Sequence, residues 1–192
     1  MKTIFESPAE RPAPFDMRRA LRARRVGSIW AVEHYDLFGR LKSLEPSIRN
    51  IVPDEGLDAY QDIMGNAATQ ITTWYVVLFE SDTTPAAGHT YAVPVYTEVN
   101  AAIDEATRPE WVEAASSGGS ITNSANKATF TFNATKTAYG AALVGGGSAP
   151  TTKGDTAGGG TLLCSVKFGT AKPVVSADVL KITVTLNATD VP

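Results

Sequence analysis

The sequence predicts a mainly β protein: an antiparallel β-sandwich, jelly-roll-like, with one or two short helices and an extended basic N-terminal arm. Three observations carry this. The last third of the chain alternates apolar and polar residues with a period of two. Earlier runs of strand-forming residues are punctuated by turn residues. The first 25 residues hold prolines and arginines in place of any apolar pattern. The expected division is an arm over 1–25 and a single sandwich domain over 26–192.

The arm comes first. Residues 1–25 contain seven basic groups and three acids, a net charge of +4, which leaves −7 on the rest of a chain whose total is −3. Prolines at 8, 12 and 14 deny the opening stretch regular structure, because each fixes φ and removes an amide donor. Beyond them, Asp16 can cap a short helix in which Met17, Ala20 and Leu21 share a face, with Arg18, Arg19, Arg22, Arg24 and Arg25 around it. Such a segment could be a solvated tail, touch nucleic acid, pack back on its own domain or dock on another protein. It is too polar to bury itself, so docking on a partner chain is the favoured expectation and nucleic acid is disfavoured.

The body follows. Ile29–Tyr35 is rich in strand formers, Asp36–Arg40 supplies a turn with Gly39 placed for positive φ, and Leu41–Arg49 returns as a second strand. Pro53–Met64 predicts a helix, capped by Asp54, ended by Gly65 and Asn66, with Leu57, Tyr60, Gln61 and Met64 on one face. Thr72–Glu80 is apolar on both faces and predicts a central strand. Ser81–Gly119 reads as a long irregular stretch with a short strand at Val93–Val99. Then the alternation becomes clean. Ala128, Phe130 and Phe132 share one face; so do Leu162, Cys164, Val166 and Phe168; and so do Leu180, Ile182, Val184 and Leu186. The glycine-rich segment Gly145–Gly160 between two strands predicts a long, mobile hairpin.

Composition excludes several classes of function. A length of 192 residues suits one domain with appendages, since a domain takes roughly 100–200 residues. A hydrophobic fraction of 43% is enough for a core. No apolar run approaches the roughly 20 residues of a membrane helix, so no membrane partner is expected, and the first residues do not read as a secretory signal. Asn133-Ala134-Thr135 and Asn187-Ala188-Thr189 are therefore read as chance sequons. The single cysteine, Cys164, excludes an internal disulfide framework and a multi-cysteine zinc site.

Nothing in the sequence proposes chemistry. His34 and His89 lack ligand-spaced neighbours, and His34 reads as a surface or core-edge residue. Cys164, on an apolar strand face, reads as a small hydrophobe. Lys153 is followed by glycine and a strand, so the Gly145–Gly160 segment is no phosphate-binding loop. Glu98, Asp104, Glu105, Glu110 and Glu113 could supply a glycosidase pair but read better as solvated acids. Trp74, Tyr75, Tyr91, Tyr96, Trp111 and Tyr139 could line a saccharide-binding face, although core roles are commoner for aromatics. The expectation is a non-enzyme with no catalytic residue, cofactor or metal.

A series of short segments in chain order carries a resemblance. It runs through Trp30-Ala31-Val32-Glu33-His34-Tyr35-Asp36, Asn50-Ile51-Val52-Pro53-Asp54-Glu55-Gly56-Leu57, Thr73-Trp74-Tyr75-Val76-Val77-Leu78 and Ala106-Thr107-Arg108-Pro109-Glu110-Trp111. It continues with Ile121-Thr122-Asn123-Ser124-Ala125, Ala128-Thr129-Phe130, Tyr139-Gly140-Ala141, Gly159-Gly160-Thr161-Leu162-Leu163 and Ala177-Asp178-Val179-Leu180-Lys181-Ile182-Thr183-Val184. Together these make residues 28–187 resemble a family of tailed-bacteriophage virion structural proteins. The resemblance implies a non-enzymatic capsid decoration or cement protein, or a neck or collar component. Its partners would be other virion proteins, either major capsid or neck/portal-associated subunits. A homo-oligomer is expected, located in the virion after assembly in the host cytoplasm. The alternative it implies is a head- or tail-fibre module that binds a host receptor or saccharide. Met17, Leu21 and the arginines at 18, 19, 22, 24 and 25 lie outside the resembling region; their partner-binding role is read from their own chemistry.

Overall fold

In the computed structural model, residues 25–189 are described, and they form two antiparallel sheets packed face to face with one helix between the second and third strands. The strands are β1 (Arg25–Tyr35), β2 (Leu41–Asn50), β3 (Trp74–Phe79), β4 (Ser120–Thr122), β5 (Ala128–Thr131), β6 (Lys136–Gly145), β7 (Thr161–Val174) and β8 (Val179–Thr189), and the helix is α1 (Asp54–Gly65). The first sheet is ordered β2-β1-β8-β4, with β5 also on β8; the second is β3-β6-β7. The expected sandwich is the observed fold. Strand β1 starts at Arg25, so that residue belongs to the body and not to the arm.

The β1–β2 hairpin forms where glycine and aspartate place it. Gly39 takes φ 73°, a conformation that carries no Cβ penalty for glycine. The Asp36 carboxylate accepts hydrogen bonds from the Phe38 and Arg40 amides, both at 2.9 Å. Along β1, Ser28, Trp30, Val32 and His34 are buried on alternate positions. Trp30 and Val32 meet Phe130, Leu180, Ile182 and Val184 of their own sheet and Val76, Leu143, Cys164 and Val166 of the other in one core.

Strands β4 and β5 lie end to end on the same edge of β8, and Asn123 fills the gap between them. Its side chain accepts from the Val184 amide (2.7 Å) and donates to the Ile182 carbonyl (3.2 Å), so a fully buried amide stands in for a missing peptide.

Four expectations need correction. β3 is not central: β6 flanks one side, and the other is covered by irregular chain, with Val76 and Trp111 donating to the Pro109 and Trp74 carbonyls and Val99 donating to Leu78. β3 is apolar on both faces because Val76 and Leu78 join the main core while Val77 and Phe79 pack on the opposite side. The strand expected at Val93–Val99 reduces to a single bridge, Glu98 to Phe79. Leu162 does not share a face with Cys164. Leu143 pairs with Cys164 but Val144 pairs with Leu162, so Leu163 is an extra residue that reverses the facing of everything before it. Leu162 instead joins Val77, Phe79, Tyr91, Tyr96 and Val144 in a second apolar cluster.

The fourth correction concerns the helix. Its N-cap is Pro53, without a side-chain cap, and Asp54 is the first helical residue. Of Leu57, Tyr60, Gln61 and Met64, expected on one face, Leu57 is partly buried against the core but the other three are exposed, whereas Gly56 is buried and Ala59 and Ile63 are partly so. Gly56 decides this, because a Cβ there would lie 2.1 Å from the Leu163 carbonyl oxygen. Only glycine lets the first turn come so close to β7.

Candidate docking cleft

Where β1 begins and β8 ends, α1 and the sandwich leave a cleft of about 420 Å³ between them. Trp74, Trp111 and Leu163 line it from the body, Val26 and Leu186 from the strand ends, and Tyr60 and Met64 from the helix. Its lining is mostly apolar, and Met64 is 72% exposed at its lip. Single exposed apolar residues are ordinary, but an apolar lip over an apolar cleft makes this a candidate contact surface.

Beside the cleft runs a row of acids. Asp54, Asp58 and Asp62 are exposed at four-residue intervals on α1, and Ala59 borders both their side of the helix and the cleft. The helix carries no lysine or arginine. Glu55 is used within the fold, accepting from the Tyr91 amide at 2.8 Å and the Leu162 amide at 2.7 Å. Asp62 stands in the last turn, at the negative end of the helix dipole, where a carboxylate is unfavourable without a cation. Glu113 adds an acid to the cleft wall.

The partner-binding residues expected from the sequence, Met17, Arg18, Arg19, Leu21, Arg22 and Arg24, lie outside the described residues. Arg25 opens β1, its backbone opposite Thr189.

The other candidates are placed within the fold. Glu98 and Arg108 are both buried and form a two-point ion pair, Nε to Oε1 at 2.9 Å and Nη2 to Oε2 at 2.6 Å. The pair organises the glycine-rich segment. Arg108 donates to the Pro150 and Gly154 carbonyls at 3.2 and 2.7 Å, and the Gly154 amide donates to Glu98 at 2.8 Å. Tyr91 accepts from Arg108 and donates to the Ala157 carbonyl, at 2.8 and 2.6 Å. The hairpin expected to be mobile is thus tied down at three residues, Pro150, Gly154 and Ala157. Both Glu98 oxygens are engaged within the fold, by Arg108 and by the Gly154 amide.

Of the remaining acids, Glu105 accepts from the Thr131 amide and Asp104 from the Asn133 side chain at 2.9 Å. The aromatics do not assemble into an exposed face. Trp111 is 3% exposed with its indole N–H on the Val184 carbonyl at 3.2 Å, and Tyr91 and Tyr96 are buried.

His34 is buried, not at the surface, and its Nε2 lies 2.9 Å from Asp178 Oδ2. Lys42 and the Val175 amide donate to the same oxygen, at 2.8 and 3.1 Å. Burial pushes the Asp178 carboxyl up, but the bonds from Lys42 and His34 outweigh it and hold the group below the ordinary carboxylate range. The contact joins β1 to the β7–β8 turn, 144 residues away, and no sequence spacing advertises it. Burial raises the Cys164 thiol to about 12, against a weak opposing bond with Ser28.

No family model matches the chain, and no curated protein does either. Among the described residues no helix is long and apolar enough to cross a membrane, and no group of histidine, cysteine and carboxylates is placed to hold a metal.

Proposed function

We propose that this chain is a non-enzymatic structural protein of a tailed-bacteriophage virion, a capsid decoration or cement protein or a neck or collar component. It docks on neighbouring subunits through its basic leading segment. The observation that carries the reading is the separation of charge: +4 on residues 1–25 against −7 on the rest, with an acidic row on α1 that pairs with no cation among the described residues. An arm laid on a neighbour buries area that its own polar residues cannot bury among themselves, and repeated copies multiply the effect. The segment-by-segment resemblance of residues 28–187 to virion structural proteins supports it. The alternative of a saccharide-binding fibre module is weakened by the burial of Trp111, Tyr91 and Tyr96.

The test is incorporation into particles. A chain beginning at Arg25 retains every residue of β1 and should fold, yet should be lost from assembled virions. Normal incorporation of that chain would reject the reading.

A further inference from the structure

We infer that the cleft under α1 is the seat of this chain's own Met17–Leu21 segment, held there by arginines on the acidic row. Four observations converge. The first is connection. Val26 lines the cleft and pairs with Ala188, so the residues preceding Arg25 start at its mouth. The second is reach. Leu21 precedes Arg25 by four residues, which span at most about 14 Å when extended, and Met17 lies one helical turn further back.

The third is chemistry. Met17, Ala20 and Leu21 offer one narrow apolar face, and the cleft offers Tyr60, Met64, Trp74 and Leu163. Met64 stands open to solvent, an arrangement that a covering side chain would relieve. The fourth is charge. Asp54, Asp58 and Asp62 repeat every four residues, about 6 Å along a helix, and Arg18 and Arg22 repeat at the same interval. An arginine near Asp62 would supply the cation that its place at the helix C-terminus lacks among the described residues.

A tethered segment faces its own cleft at an effective concentration in the millimolar range, so its own chain outcompetes a second copy in dilute solution. The inference concerns the free chain and goes beyond the assembly reading, in which a neighbouring subunit takes the arm from this seat. Only that later exchange rests on the reading.

The test uses the full chain in isolation. L21C and M64C are combined and treated with a short bis-maleimide; Cys164 is buried and stays out of the reaction. The expected product is a monomer cross-linked within itself, confirmed by peptide mapping. Its yield should fall several-fold when R18E and R22E are added. A covalent dimer would overturn the inference in favour of a second copy as occupant, and absence of any cross-link would overturn it altogether. Unchanged yield with R18E and R22E would remove the arginines from the contact. A second measurement avoids variants: the Met64 methyl resonance of the full chain should differ from that of the chain beginning at Arg25, and coincidence of the two would also overturn it. Loss of the arm from particles is a separate measurement, so the two proposals can fail independently.

Discussion

Arg108 closes its guanidinium fork on Glu98 in the interior, at 2.9 and 2.6 Å, with each side chain no more than 3% exposed. Ten residues separate them, and what they organise is neither of their own segments but the glycine-rich loop nearly fifty residues on.

Breaking that pair from one side leaves a buried charge without its partner. Arg108→Met should therefore cost about 3–5 kcal/mol, as should Glu98→Leu, while the double replacement costs less than the sum. Urea unfolding of the three variants checks this. Limited proteolysis should cut Gly145–Gly160 in both single variants before the body yields.

Asn123 occupies the place of a peptide between β4 and β5. Asn123→Leu keeps the volume but orphans the Val184 amide and the Ile182 carbonyl, for a loss of about 2–4 kcal/mol. Hydrogen exchange at the Val184 amide should accelerate well beyond that of its β8 neighbours. Unchanged exchange there would show that the backbone re-pairs without the side chain.

The Asp178 carboxyl is held lower in the folded chain than in the unfolded one. Its contribution is thus fully present above the unfolded value, near 4, and is lost as pH falls through the folded value. Unfolding free energy measured from pH 6 down to pH 2 should decline across the lower part of that range. The decline should be shallower in Asp178→Asn, whose overall stability is reduced at neutral pH.

Gly56 sits against the Leu163 carbonyl with no room for a methyl group. Gly56→Ala should lower stability by about 1–3 kcal/mol despite the better helix propensity of alanine, because overpacking outweighs the propensity gain. A thermal melt decides the sign. A rise in Tm would mean that the helix lifts away at little cost.

The Cys164 thiol is buried and raised to about 12, so an aromatic disulfide reagent should leave it unmodified in the native chain and label it stoichiometrically in urea. Rapid native labelling would show that β7 opens locally.

How much of this could be read from residues alone varies by element. The β1–β2 hairpin and β8 were legible, because Asp36, Gly39 and a strict alternation are local signals that the fold simply accepts. β6 was harder. Lys136–Gly145 holds three alanines and two glycines, a poor strand composition, and it becomes the middle strand of its sheet because β3 and β7 pair with it on both sides. The cleft was not visible in the sequence, though one signal pointed to it: Tyr60 and Met64 break the polar surface expected of an exposed helix. The arm's arginines were legible as a basic cluster, but no local pattern says what they touch.

By itself the sequence determined the alternating strands, the turn residues, the extent of α1 and the division of charge, all of which depend on neighbours within a few positions. Tertiary structure alone decided which face of the helix turned inward, which side of β7 Leu162 took, and that a histidine and an aspartate 144 residues apart would share a proton-bearing contact. Those outcomes depend on where a carbonyl, a bulge or a carboxylate from a distant segment comes to rest, and packing at interior density leaves one answer where local pattern allows several.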